Sequence, residues 1–353
     1  MANAKSRTKL AFIPIIALLL FIVGCSSNNN DAAPTESAAG SSASASVPAA
    51  SEPATKKELI PITQVLNWFA QPEQGGMFAA KAKGYYEEAG LDMTIEQGGP
   101  QVSHIQIVAS GKAQFGMAQG DELVMARAQG IPVVALAAQF QINPTAILFH
   151  KGDNVKSFAD LNGRTIYLVP GSMYWEYFKK KYNLGKVKEL AFTGNFTGFI
   201  NDKQSMTHAY VTAEPITMAG LDVETEYIRT HDFGYQPYAN VIFTTEKYLK
   251  EHPDIVKAYV EASVKGWQYY KTNYEEINPV IKEMSPDLEL KDMKLRAVAS
   301  MDLIFKEEAA TKGFGTMSKE RWDTLMNQLY DIGMIKKKFD VTELFDTSFL
   351  PKA

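Results

Sequence analysis

Short apolar segments alternate with helical segments along the first half of the chain, and this alternation constrains the fold more than any other feature. Residues 132–138 form a continuous apolar run, which is typical of a strand buried on both faces. Asp121 stands where an N-cap of the following helix is expected. Repeated βα units of this length predict a mainly parallel sheet with helices on both sides. The predicted strands are 62–68, 91–97, 113–117 and 132–138, and the predicted helices are 76–89, 103–112 and 121–129.

A second series of strand and helix signals then begins. Its predicted strands are 145–150, 164–169, 188–192 and 209–212, its predicted helix is 173–182, and the chain returns through a strand at 240–244. From 245 onward the pattern is helical, with apolar residues of 255–270 recurring at spacings of three and four. We therefore predict an α/β protein of two lobes. Lobe 1 comprises 57–148 and 243–353, lobe 2 comprises 149–242, and two hinge crossings lie near 147–152 and 240–246. The helical C-terminal segment is expected to pack on lobe 1.

The N-terminal residues resemble a bacterial lipoprotein signal. Three basic residues precede an apolar run at 10–23, which is short for a membrane span, and Ile22 to Cys25 resembles a lipobox. This resemblance implies removal of residues 1–24, acylation of Cys25, and an extracytoplasmic location, either on a Gram-positive surface or in a Gram-negative periplasm. Residues 25–56 are rich in Ser, Ala, Asn and Pro, which predicts a disordered, lipid-anchored tether.

Charge and motif content exclude several classes of protein. Loss of the three basic residues in 1–24 moves the formal charge from −4 to −7, which argues against a nucleic-acid partner. The sequence contains no GxSxG, HExxH, GxGxxG or GxxxxGK[ST] motif. Cys25 is the only cysteine, so an intrachain disulfide or a thiolate cage cannot form. The five histidines are scattered, and we predict neither a metal nor a cofactor.

Three segments resemble the thiamine-pyrimidine and alkanesulfonate family of ABC-transporter substrate-binding proteins. They are residues 68–84 (WFAQPEQGGMFAAKAKG), 85–92 (YYEEAGLD) and 209–215 (AYVTAEP). The resemblance implies a type II periplasmic-binding-protein fold with a ligand cleft between its lobes.

One branch of that family, the fungal thiamine-pyrimidine synthases, carries W-x-P-N-x-x-H-x-G and a cysteine-rich iron cluster. Here Trp68 and Gly76 match, but Ala70, Gln71 and Gln74 stand at the proline, asparagine and histidine positions. Together with the single cysteine, these departures argue against synthase chemistry.

The carboxyl ends of the predicted strands should carry the binding residues, because α/β sheets place ligands there. A glycine pair at Gly75-Gly76 would let the backbone approach a ligand. Two of these positions also have a purely structural interpretation. Glu214 would then cap the helix that starts at residue 215, and Trp68 would be a core residue. The predicted ligand-binding residues are Trp68, Phe69, Gln71, Gly76, Gln97, Gly98, Gln119, Gln139, Gly171, Ser172, Tyr174, Asn195 and Glu214.

These residue types favour a planar ligand. Trp and Tyr faces suit planar rings, and Gln and Asn amides suit the edge of a heterocycle. The candidate segments carry no Arg or Lys, which an anion would prefer.

We expect a monomeric, lipid-anchored solute-binding component of an ABC importer, which passes its ligand to permease and ATPase subunits. The expected ligand is an aromatic heterocycle similar to a thiamine pyrimidine precursor or to riboflavin. Three alternatives remain: a binder of a small anion such as an alkanesulfonate, a secreted enzyme related to the synthases, and a sensor.

Overall fold

A computed structural model describes residues 58–352 of the chain. The predicted signal peptide, the predicted acylation site Cys25 and the whole predicted tether therefore lie outside the described residues. Within the described part, no helix has both the length and the apolar character needed to cross a membrane.

Ten strands in residues 58–352 form two five-stranded sheets, one in each lobe. The first sheet contains β1 (Ile60–Val65), β2 (Leu91–Glu96), β3 (Phe115–Ala118), β4 (Val133–Phe140) and β10 (Ala239–Thr245). The second contains β5 (Thr145–His150), β6 (Thr165–Leu168), β7 (Lys188–Ala191), β8 (Ser205–Tyr210) and β9 (Thr225–Arg229). The strand orders are β2-β1-β3-β10-β4 and β7-β6-β8-β5-β9. The predicted α/β class with two lobes is confirmed.

Each sheet contains one strand that runs against the others, so the sheets are mixed. β10 is antiparallel to β3 and β4, and β5 is antiparallel to β8 and β9. Both strands directly follow a crossing between the lobes. A chain that enters a sheet from the cleft side runs opposite to strands that end at the cleft, which explains their direction.

The helices fill the connections and then most of the C-terminal segment. They are α1 (Gly75–Ala82), α2 (Tyr85–Glu88), α3 (His104–Ala109), α4 (Gly120–Ala128), α5 (Met173–Tyr182), α6 (Thr197–Asn201), α7 (Glu214–Gly220), α8 (Glu246–Glu251), α9 (Pro253–Met284), α10 (Leu290–Phe305), α11 (Ala309–Lys312) and α12 (Lys319–Asp331). Short 3-10 turns occupy Pro72–Gln74, Phe158–Leu161, Thr230–Phe233 and Val341–Glu343. Asp121 lies inside the first turn of α4 rather than at its N-cap, which is Gln119.

The two crossings lie slightly earlier in the chain than predicted. Residues 145–148, assigned above to lobe 1, pair with β8 and β9 of the second sheet. Residues 239–242, assigned to lobe 2, pair with β3 and β4 of the first sheet. The connecting segments are therefore 141–144 and 230–238. The side-chain amide of Asn143 donates to the backbone carbonyl of Pro237 at 3.1 Å, and this hydrogen bond connects the two crossings.

The C-terminal helices pack on lobe 1, as predicted. Helix α9 lies against α1, where Trp267 and Tyr270 are fully buried. Further along, the amide of Ala135 on β4 donates to the carbonyl of Leu344. Burial of each such large side chain contributes about 1.5–3 kcal/mol, so the C-terminal segment is an integral part of the lobe 1 core.

Gly76 allows the close approach of α1 and α9. A methyl group placed on Gly76 would lie 2.2 Å from the Trp267 ring. We predict that Gly76→Ala lowers the free energy of unfolding by roughly 1–3 kcal/mol through overpacking, as measured by urea denaturation. Gly185→Ala in lobe 2 is the control, since nothing lies within 4 Å of its added carbon. Equal stability of the two variants would contradict this packing role.

Candidate functional site

A cavity of about 350 Å³ lies between the lobes and is walled by both lobes and both crossings. This volume is within the range of small-molecule sites. Its described lining residues are Asn67, Trp68, Gln71, Glu73, Gln74, Gly99, Pro100, Val102, Ser103, His104, Ile105, Gln119, Asp121, Glu122, Asn143, Thr145, Val169, Pro170, Ser172, Met173, Tyr174, Phe192, His208, Tyr210, Ala213, Glu214, Thr230, Tyr235, Pro237 and Asn240.

The structure brings six of the predicted binding residues together at this cavity: Trp68, Gln71, Gln119, Ser172, Tyr174 and Glu214. All six lie where a strand ends or a helix begins. Trp68 follows β1, Gln119 caps α4, and Glu214 opens α7. The expectation that binding residues follow the carboxyl ends of strands, called the strand-end rule below, locates these positions. The loops that follow β1, β3, β6 and β8 all face the gap between the sheets.

Four other predicted residues lie behind the cavity wall and serve the fold. Gly76 packs against Trp267 rather than admitting a ligand to the backbone. The Gln97 side chain accepts from the Ala70 amide at 3.0 Å and donates to the Met284 carbonyl at 2.9 Å. A methyl group on Gly98 would lie 2.1 Å from the Leu66 carbonyl oxygen, and the Gln139 amide donates to the Glu73 carbonyl.

The last three predicted residues also lie outside the cavity lining. Phe69 is 40% exposed and meets the Trp68 ring edge-on at a centroid distance of 5.4 Å. Gly171 has a φ of +80° in the turn before α5, and Asn195 is exposed, with its side chain accepting from the Thr197 amide. Trp68, by contrast, lines the cavity and is only partly buried, so the core alternative does not describe it.

Two aromatic rings from opposite lobes face each other across the cavity. Trp68 of lobe 1 and Phe192 of lobe 2 are nearly parallel, at 5°, with centroids 6.4 Å apart. A ring inserted between two parallel rings needs about 7 Å, or two carbon contacts of about 3.5 Å each. The centroid distance is shorter than this, so a planar ring enters between the two rings only when the lobes move apart.

A hydrogen-bonded chain of polar side chains links the lobes beside these rings. The Gln119 amide donates to the Tyr210 hydroxyl at 2.5 Å, and that hydroxyl donates to Asn240 Oδ1 at 3.4 Å. Asn67 donates to the same Asn240 oxygen at 3.0 Å. On the lobe 2 side, Tyr174 and His208 share a hydrogen bond of 2.9 Å. Burial lowers the pKa of His208 to about 4, so this imidazole is neutral at pH 7.

Acidic side chains from both lobes line the cavity. Glu73 of lobe 1 accepts a hydrogen bond of 2.9 Å from Thr212 of lobe 2, and burial raises its pKa. Glu214 accepts from the Tyr210 amide at 2.6 Å, and burial raises its pKa to about 7. Arg296, on α10, lies behind the wall and lowers the pKa of both carboxyls against the effect of burial.

Two further acids lie at the start of α4. Burial and the neighbouring Glu122 charge raise the pKa of Asp121 to about 7, while the Tyr235 hydroxyl donates to its carboxylate at 2.8 Å. Glu122 pairs with His104 at 3.2 Å. Burial opposes both charges, but the pairing prevails: the pKa of Glu122 is lowered and that of His104 is raised.

Sequence reasoning missed several of these residues. Asn67 and Glu73 adjoin predicted residues, and Phe192 ends a predicted strand, so the strand-end rule could have included all three. Asn240 has a φ of +48° at the second crossing, a conformation that asparagine tolerates better than most residues. Arg296 had no such signal, since it sits within a long helical region.

The raised pKa of Asp121 predicts a pH-dependent stability. Between the unfolded value near 3.8 and the folded value of about 7, the folded state holds a proton that the unfolded state has released. This contribution to stability is therefore lost as the pH rises through that window. We expect Asp121→Asn to gain about 1–3 kcal/mol of unfolding free energy relative to the unmodified chain between pH 5 and pH 8, measured by urea denaturation.

The control for this comparison is Asp302→Asn, because the Asp302 side chain is 71% exposed. Its stability should follow the unmodified chain across the same pH range. Parallel profiles for Asp121→Asn and the unmodified chain would show that the Asp121 carboxyl is ionised in the folded state.

Comparison with known proteins adds a family and three similar proteins. Residues 32–277 match the family model described as NMT1/THI5 like. The riboflavin-binding protein RibY of Chloroflexus aurantiacus is 24% identical, covering 95% of this chain and 96% of that protein. A 4-amino-5-hydroxymethyl-2-methylpyrimidine phosphate synthase of Legionella pneumophila is 21% identical, covering 82% and 92%. The alkanesulfonate-binding protein SsuA of Xanthomonas axonopodis, solved with bound MOPS, shares the fold with a TM-score of 0.63 and 13% identity, covering 85% of this chain and all of that one.

Proposed function

The chain belongs to the NMT1/THI5-like family, and from this premise we propose that it is the solute-binding component of an ABC importer whose ligand is a small aromatic heterocycle. The similarity to RibY over nearly the whole length of both chains supports a binding role. The periplasmic-binding-protein fold, with its cavity between two lobes, supports capture by closure of the lobes.

The observation that carries the proposal is the pair of facing rings in an acid-lined cavity. Trp68 and Phe192 offer two parallel faces to one planar ring. The described lining contains four acids, Glu73, Asp121, Glu122 and Glu214, and no lysine or arginine. An anion such as a sulfonate would be repelled by ionised carboxylates, and the His104 side chain of the lining is already paired with Glu122. A neutral or weakly basic heterocycle suits this surface.

Binding needs no covalent step in this proposal. The ligand is held between rings from opposite lobes, so it stabilises the closed arrangement more than an open one. The crossings 141–144 and 230–238 carry the hinge motion, and the Asn143–Pro237 hydrogen bond keeps them together.

The alternative from another class is an enzyme, since some relatives are named as synthases. Two positions support the non-enzymatic role. Gln74, where the synthase pattern has histidine, accepts a hydrogen bond from the Gln71 amide at 3.0 Å and caps a local turn. Gln71 accepts a hydrogen bond from Arg296 at 2.9 Å. Incubation with each candidate ligand, followed by mass spectrometry, tests this role, and a product formed in excess of the protein would reverse it.

Membrane attachment is part of the proposal. We propose that Cys25 is acylated and that the protein acts as a monomer outside the cytoplasmic membrane beside its permease and ATPase subunits. Incorporation of labelled palmitate into the unmodified chain, and its loss in Cys25→Ser, would test the anchor. Retention of the label by Cys25→Ser would exclude this attachment site.

A ligand panel tests the chemical class. We expect isothermal calorimetry to detect binding of riboflavin or 4-amino-5-hydroxymethyl-2-methylpyrimidine and much weaker binding of the sulfonate MOPS. The reason is that the described cavity lining offers ring faces and carboxyls but no lysine or arginine. Tight binding of MOPS with no binding of either heterocycle would replace this proposal with the anion alternative.

Trp68 provides the sharpest single-residue test. We predict that Trp68→Ala weakens binding of the heterocycle identified by the panel at least tenfold, because one stacking face is lost. Trp68→Phe should retain most of the affinity, since it keeps a ring at that position. Phe192→Ala should weaken binding in the same direction. Dissociation constants unchanged in both alanine variants would remove the stacking site from the proposal.

A further inference from the structure

Arg296 connects the two lobes through a single guanidinium group. It lies on α10 and is only 5% exposed. Its Nη1 donates to Gln71 Oε1 in lobe 1 at 2.9 Å. Its Nη2 donates to Thr217 Oγ1 on α7 of lobe 2 at 2.7 Å. A rigid planar group therefore holds one partner on each side of the cleft.

The charge of Arg296 also acts on both lobes. Glu73 belongs to lobe 1 and Glu214 to lobe 2, and both carboxyls line the cavity. Arg296 favours the ionised form of each, against the burial that favours the protonated form. Movement of lobe 2 away from lobe 1 would separate Glu214 from this charge, whereas Glu73 and Gln71 would stay beside it.

We propose that Arg296 is a closure latch, a positioning residue of the C-terminal segment that stabilises the closed arrangement of the lobes. The Thr217 hydrogen bond and the attraction to Glu214 exist only when the lobes are together, so Arg296 stabilises that state selectively. The hydrogen bond to Gln71 is internal to lobe 1 and has no such preference. This inference goes beyond the proposed function, because it concerns the lobes whichever ligand they bind.

A purely structural role would have a different signature. An arginine that only stabilises lobe 1 would, when removed, lower the stability of the chain without changing the distance between the lobes. Arg127 is such a case. It is an arginine of low exposure whose partners, Glu246, Glu343 and the Val133 carbonyl, all lie in the lobe 1 part of the chain. Arg127→Met is therefore the matched control.

Spin labels on the two lobes measure closure directly. The full chain would carry Cys25→Ser, with exposed positions Glu87 on α2 and Lys186 in lobe 2 changed to labelled cysteines. Distance distributions would be recorded by pulsed electron resonance without ligand and with saturating riboflavin. The unliganded measurement does not depend on the ligand assignment, so failure of riboflavin to bind would count against the proposed function and not against the latch.

The variants separate the hydrogen bond from the charge. Arg296→Met should shift the distribution toward longer distances, reducing the short-distance population relative to the long one roughly tenfold or more, as expected for loss of a charged hydrogen bond. Thr217→Val should give a smaller shift in the same direction, since the charge remains. Adding Glu214→Gln to Arg296→Met should recover part of the short-distance population, because the Glu214 carboxylate that lost its partner charge is removed. Arg127→Met should leave the distances unchanged.

Three results would overturn the latch. The first is an Arg296→Met distribution that matches Arg127→Met. The second is a Thr217→Val shift as large as that of Arg296→Met with no recovery from Glu214→Gln, which would remove the role of charge. The third is an unmodified, unliganded chain that shows only long distances.

Discussion

The architecture depends on strand β10, which returns from lobe 2 and inserts between β3 and β4. It pairs antiparallel with β3 through residues 241–243 and with β4 through residues 239–245. Because β10 follows lobe 2 in the sequence, lobe 1 is made of two separate stretches of chain. The insertion also sends everything after residue 245 to lobe 1, where α9 fits against α1 at Gly76. The cleft, the hinge and the position of Arg296 all follow from this one pairing.

The second constraint is the electrostatic cost of the cavity. Buried carboxyls are unfavourable unless they are protonated or paired. The chain uses both solutions. Glu122 is paired with His104, whereas Asp121 and Glu214 have pKa values raised to about 7 by burial. Near neutral pH the cavity can therefore change its charge at low cost. A weakly basic ring that brings its own proton would meet carboxyls ready to ionise, while an anion would require them to stay protonated.

The fold was largely predictable because its signals are local. The run at 132–138 and the helix at 173–182 agree with β4 and α5, since continuous apolar runs and helical spacing report burial directly. The direction of β5 and β10 was not predictable, because a strand sequence does not encode whether its neighbours run with it. The crossings were displaced by a few residues for a related reason. Residues 145–148 are apolar enough for either sheet, and only pairing with β8 and β9 assigns them to lobe 2.

The candidate site was predictable only where its residues lie next to a strand end in the sequence. The strand-end rule reached Trp68, Gln119 and Glu214 because the position of a strand end is visible in sequence. It could not distinguish a glutamine that faces the cavity from one that supports the wall, and Gln97 and Gln139 are of the second kind. The glycine pair at the start of α1 was read as an opening for a ligand. Its actual neighbours are Trp267 and Tyr270, nearly 200 residues later in sequence.

The same limit explains Arg296. Its partners Gln71 and Thr217 come from two lobes, and the residue itself comes from a third region of the chain. No local pattern could bring these three together. A segment that appears in sequence to be only a helical support for lobe 1 thus reaches the cleft from behind and contacts both of its sides. If closure is controlled by this segment, ligand affinity in this protein is set partly by residues that never touch the ligand.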